Sequence, residues 1–291
     1  MARNLYHEVS ERILAELEAG APPWCREWKA RGRGNIPQNA ITHRPYSGGN
    51  VILLWMSGCS QNRWMTFGQA LEIGANVRKG EKSTRILYVS SYDKKKPDSD
   101  DTSKVSFLKE FCIFNIAQIE NVPEKYLEAR DPTPFNVDQR DEDLQDFLQC
   151  TRADIREGAS EAFYSPGGDF ISLPHFDDFK DSDCYAATAL HELSHWSGHP
   201  SRLARDLKNR FGSQEYAAEE LVAELSSAFL CGEFGINKTV RHASYIASWI
   251  KLLREDNRAF FSAAAKAQQS ANYLRSLAIN QLVEPEQIAA E

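Results

Sequence analysis

Residues 191–195, His-Glu-Leu-Ser-His, are the stretch in which residue type and spacing together name a chemistry. Positions four apart share one face of a helix, so His191 and His195 can hold a metal ion from one side while Glu192 reaches a water on that ion. Zn2+ is the expected ion, with another divalent metal such as Mn2+ as the alternative. An ion held this way lowers the pKa of its water toward ~7, and Glu192 then takes the proton in hydrolysis of an amide.

Two imidazoles make half a site. The run Glu219-Glu220-Leu221-Val222-Ala223-Glu224, on the next expected helix, supplies the rest. Glu220 and Glu224 lie four apart on one face; the reading is Glu220 as ligand and Glu224 orienting a ligand imidazole, with the reverse order or Glu219 as alternatives. A metzincin arrangement fails, because its third histidine would fall on Ser201 and the chain has no methionine after Met65 to build a Met-turn. His199 continues the four-residue spacing but stands between Gly198 and Pro200, where the helix should have ended. The oxyanion needs a donor, for which Tyr216 and His242 both qualify. Residues 169–174 are expected to be an edge strand that pairs with an extended peptide.

The motif needs a helix from Cys184 to Trp196, capped by Asp183 and closed by Gly198 and Pro200. Glu220 needs a second, from Gln214 to Cys231, and two more fill 238–277. Upstream, helical spacing covers 141–156, and two short strands flank Pro166-Gly167-Gly168. At the front, Val9, Ile13, Leu14 and Leu17 mark an amphipathic helix stopped by Gly20, Pro22 and Pro23. Asn50 is expected to cap a helix through Trp55, and Thr66 one through Leu71. Strands are expected at 83–92 and 105–119, joined by an exposed polar connection at 93–103. The fold class is α+β: a small α+β domain over 1–130, a linker at 131–140 containing Pro132 and Pro134, and a mostly helical zincin-like domain with a short sheet over 141–291.

Charge divides the chain. Residues 1–96 carry 15 Lys+Arg against 8 Asp+Glu, a balance of +7, leaving −14 for the remainder of a chain whose net charge is −7. A polyanion should therefore meet the front. Single-stranded nucleic acid is held by a positive groove with aromatic platforms. Trp24, Trp28 and Tyr46 stand among Arg26, Lys29, Arg31, Arg33 and Arg44 and are the stacking candidates, whereas Trp55 and Trp64 read as core. Arg78, Lys79, Lys82 and Arg85 form a second cluster suited to phosphate. The longest apolar run, Val51 to Met56, is too short to span a bilayer, so a cytoplasmic protein without membrane contact is expected. Six cysteines without a Cys-x-x-Cys pair point to reduced thiols rather than a disulfide framework or a zinc ribbon.

Several stretches together resemble one family. They are Tyr6 to Ile13, Arg44-Pro45-Tyr46-Ser47-Gly48-Gly49-Asn50, Val77 to Lys82, Phe114-Asn115-Ile116-Ala117-Gln118, Tyr185-Ala186-Ala187-Thr188 before the histidine motif, Gly198 to Leu203, and Glu219 to Glu224. The chain resembles the ArdC-type antirestriction proteins of conjugative plasmids, related to the N-terminal part of TraC-type primases. The resemblance implies an N-terminal domain that binds single-stranded DNA, a C-terminal metallopeptidase-like domain carrying His191, Glu192 and His195, and protection of entering plasmid DNA from restriction. A host restriction protein or a DNA-bound protein is the expected target if the site cleaves peptides.

Overall fold

The computed structural model describes residues 4–25, 35–59, 61–95, 102–127, 136–205, 214–236 and 243–288, with the backbone alone at 89–95, 102–108, 243 and 280–288. The chain forms two compact units, Met1–Leu5 with Pro37–Pro132 and Tyr6–Ile36 with Thr133–Glu291.

Helix α1 (Leu5–Glu18) buries the expected stripe, Val9, Ile13, Leu14 and Leu17. Its partners lie at the far end of the chain. The Tyr6 ring meets Phe261 edge-on at 4.9 Å, and the Ser10 hydroxyl donates to the Asn257 carbonyl at 2.8 Å. A lone amphipathic helix has no wall of its own, and from Tyr6 on this one belongs to the second unit, which supplies it.

The first unit runs β1 (Gln38–Asn39), α2 (Gly49–Trp55), β2 (Arg63–Thr66), α3 (Phe67–Glu72), β3 (Asn76–Val77), β4 (Thr84–Lys95), β5 (Thr102–Asn115) and β6 (Ile119–Glu120). Its sheet has the order β1-β2-β5-β4, and β3 pairs with β6. Leu54, Trp64, Ile86 and Ile113 form one core cluster, and Met65, Ala70, Ala75, Ile116 and Ile119 belong to another. Thr66 caps α3 as expected, and Gln69 returns the bond to complete a reciprocal box. Asn50 does not cap α2. Its side chain instead takes both backbone groups of Leu87 on edge strand β4, at 2.9 and 2.7 Å. The two ends of the expected connection at 93–103 are strand, because pairing continues to Lys95 opposite Thr102 and sets Asp93 opposite Lys104.

The second unit continues with α4 (Val137–Cys150), β7 (Asp154–Glu157), β8 (Phe163–Ser165), β9 (Phe170–Leu173), α5 (Ser182–Ser197), α6 (Gln214–Phe234), α7 (Ile246–Glu255) and α8 (Ala259–Ile288). Helix α4 starts inside the span expected to be a linker and stops short of Arg156. The Thr151 hydroxyl bonds the Leu148 carbonyl at 2.6 Å and Arg152 turns left-handed at φ 55, so the chain leaves as strand β7. The sheet order is β7-β9-β8. The segment 169–174 therefore does not supply a free edge: β9 is flanked by parallel β7 and antiparallel β8, and its backbone groups are already paired. Asp181, not Asp183, caps α5, accepting from the Cys184 N–H at 2.9 Å, while Asp183 pairs with the buried Arg140 of α4. Among the described residues no helix is long and apolar enough to cross a membrane.

Candidate metal centre

Helices α5 and α6 pack together. Both bury residues on nearly every side, including His191, Glu192, Glu220 and Glu224. Ionisable groups are buried only when paired or ligated, so such a concentration points to a site. One potential ligand atom from each of His191, His195 and Glu220 lies within 4.8 Å of the other two. Glu220 Oε2 is 3.6 Å from Nε2 of His191, and its Oε1 is 3.5 Å from Nε2 of His195. The two imidazoles stand edge to face with centroids 4.9 Å apart. Two ring nitrogens and one carboxylate oxygen this close together fit a divalent first-row metal.

The carboxylate on Nδ1 of His195 is that of Glu219, at 3.3 Å. Arg205 holds that carboxylate through Nε at 3.0 Å and Nη2 at 2.9 Å. The same guanidinium donates to the Ser194 carbonyl at 2.6 Å and the Ser197 hydroxyl at 3.0 Å, fixing Glu219 to helix α5. Glu224 is buried one turn further along α6. Nothing in the sequence separates Glu219 from its neighbour, since the decisive partner, Arg205, arrives from a loop.

Electrostatics follow from this crowding. Burial acts to lower the pKa of His195, but the hydrogen bond to Glu219 and the charges of Glu220, Glu219 and Glu192 outweigh it and lift it to about 9. Burial acts to raise Glu220, yet its hydrogen bond to His191 and the imidazole charges hold it down at about 2. Tyr216 hydrogen-bonds Glu220, and its hydroxyl lies 3.2 Å from that of Tyr245. Burial, Tyr245 and the Glu220 charge push its phenol well up, which keeps the hydroxyl a donor at neutral pH. Tyr245, which the sequence did not single out, stacks on Trp249 at 6.0 Å. His242 lies outside the described residues. His199 is turned elsewhere, with Nδ1 2.7 Å from the Ser201 hydroxyl and 3.9 Å from Asp169.

Residues 142–266 match the family described as zincin-like metallopeptidase, and residues 3–114 match the N-terminal domain of anti-restriction factor ArdC. The metal-free crystal structure of the antirestriction ArdC protein from plasmid R388 is 35% identical, with TM-score 0.81 over 96% of this chain and 99% of that one. This chain belongs to the ArdC antirestriction family. The Mn(II)-bound crystal structure of R388 ArdC aligns at 33% identity and TM-score 0.78, over 96% of this chain and 99% of that one. A DNA primase TraC of Escherichia coli is 40% identical over 97% of this chain, which spans only 28% of that primase.

The residues of this ArdC relative singled out for DNA fare unevenly. Trp24 is not a surface platform: it is 2% exposed and packs edge-on against Trp249, centroids 5.5 Å apart. Tyr46 is half-buried against the Leu54–Trp64 cluster, and burial raises its pKa. Trp28, Arg31 and Arg33 lie outside the described residues. Arg44, Lys79 and Lys82 are exposed. Arg78 is bound to Glu81 at 3.0 Å and to the Ala117 carbonyl, and Arg85 pairs with Glu110 at 2.9 Å, which reduces the charge either offers to phosphate.

Proposed function

We propose that this ArdC-family chain binds single-stranded DNA without sequence preference through its first unit, and that its second unit is a metal-dependent peptidase acting during the protection of entering plasmid DNA. The observation that carries the enzymatic part is the convergence of His191, His195 and Glu220 beside a buried Glu192. The chemistry a divalent cation brings to such a donor set is Lewis acidity toward water and toward a carbonyl oxygen. Zn2+ suits two imidazoles and a carboxylate, and the Mn(II) in R388 ArdC makes Mn2+ the alternative.

Around that cation the chain's own groups have distinct tasks. His191 and His195 present Nε2, Glu220 presents its carboxylate, and Glu219 keeps the Nδ1 proton of His195 in place. Glu192, next to His191 on α5, is the base that takes a proton from water and passes it to the leaving amine. Tyr216 keeps its proton and donates to the developing oxyanion. The cytoplasm is where such a protein would meet entering DNA, and a host restriction protein or a protein bound to that DNA is its expected target.

The Glu192→Ala protein tests this reading. It should keep metal and single-stranded DNA affinity while losing peptidase activity and any protection that depends on it. Protection unchanged in that variant would show that the peptidase chemistry is dispensable for protection.

A further inference from the structure

Two exposed aromatics of the first unit, Tyr88 and Phe111, share one face of the β4–β5 hairpin. Side chains alternate along a strand, and residues opposite one another in an antiparallel pair share a face. The unbroken register from Thr84 opposite Ile113 to Lys95 opposite Thr102 therefore sorts the hairpin into two faces. One face holds Ile86 and Ile113, which join Leu54 and Trp64 in the core. On that face Phe111 stands opposite Ile86, Tyr88 opposite Lys109, Phe107 opposite Ser90 and Tyr92 opposite Val105, so four successive rungs each carry one aromatic position. Lys94 and Lys109 hold register positions on it, while Asp93 and Glu110, the acidic residues of the two strands, fall on the other. Where the side chains are described, Tyr88 is 59% and Phe111 42% exposed, with rings 6.4 Å apart and inclined at 80°.

We propose that this face is the stacking surface for single-stranded nucleic acid, with bases on Tyr88 and Phe111, phosphate near Lys109, and the register positions of Phe107 and Tyr92 extending the series. Same-face rungs recur every ~6.8 Å along a strand, which spaces successive platforms for successive unstacked bases. Stacking on rings flanked by positive charge is tolerant of sequence, and a face carrying lysine without carboxylates suits a polyanion. A peptide strand would instead need a free backbone edge, and on β4 both groups of Leu87 are taken by Asn50. The inference rests on the single-stranded-DNA reading above and relocates its contacts from Trp24 and Tyr46 to the hairpin.

The test is fluorescence anisotropy of the full chain with a labelled oligothymidylate. Wild type should bind, Tyr88→Ala/Phe111→Ala should bind roughly tenfold or more weakly, and Tyr88→Phe/Phe111→Tyr should bind as wild type. Lys109→Gln should lower the salt slope by about one. Wild-type affinity in the alanine pair overturns the surface while leaving DNA binding intact, whereas a wild type that does not bind overturns the DNA reading and the surface with it. Photo-crosslinking wild type to an iodouracil oligonucleotide avoids any folding defect of the variants. Adducts at Tyr88 or Phe111 support the surface, and adducts confined to residues outside β4 and β5 overturn it.

Discussion

Glu219 stands 3.3 Å from Nδ1 of His195. Arg205 grips the same carboxylate, so the imidazole is aimed by a group that is itself fixed at both oxygens. Glu219→Gln should therefore weaken Mn2+ or Zn2+ binding about 10- to 100-fold. It also leaves the guanidinium of Arg205, 7% exposed, without a counter-charge, which should cost about 3–5 kcal/mol of stability. Calorimetric titration and denaturant unfolding measure the two effects. Wild-type metal affinity in that variant would assign the aiming of His195 to another group.

Metal binding should strengthen with rising pH. In the metal-free protein His195 titrates near 9, because Glu219 and the surrounding carboxylates outweigh the lowering effect of burial. At neutral pH the ion must displace that proton, so apparent affinity should rise about tenfold per pH unit and level off above about 9. The sign for stability is opposite. A folded pKa above the unfolded ~6.5 stabilises the metal-free protein fully below ~6.5, and this contribution fades between ~6.5 and about 9. Metal titrations at pH 7 and pH 8 that coincide would contradict the first half of this.

A methyl group at Gly198 should disturb the site from a distance. A Cβ there would lie 2.8 Å from Nη2 and 2.9 Å from Cζ of Arg205, whose guanidinium is already committed to Glu219, Ser194 and Ser197. Gly198→Ala should cost about 1–3 kcal/mol and reduce metal affinity. Full stability together with full affinity would mean that Arg205 is free to swing aside.

Trp24→Ala should separate structure from DNA contact. With its ring buried against Trp249, the substitution should destabilise by about 3–5 kcal/mol while the folded fraction binds single-stranded DNA as wild type. A stable variant with lost DNA affinity would restore Trp24 as a platform.

The sequence by itself determined the α+β class, the helix carrying His191 and His195, the cap at Thr66 and the strands around Pro166-Gly167-Gly168. Each is set by residues within a few positions of one another, where spacing, capping and breaker residues act directly. It named Glu220 because residues four apart on a helix are a local relationship too. What it could not decide depended on partners distant in sequence. Arg205 selected Glu219 to hold His195, β7 and β8 enclosed β9, and Asn257 and Phe261 drew α1 into the second unit. Trp24 went to Trp249 for the same reason: a tryptophan among arginines is read locally as a surface ring, but its burial is fixed by whichever apolar wall the fold brings to it. Only the tertiary structure places those walls and charges, because long-range contacts leave no period or spacing in the chain that makes them.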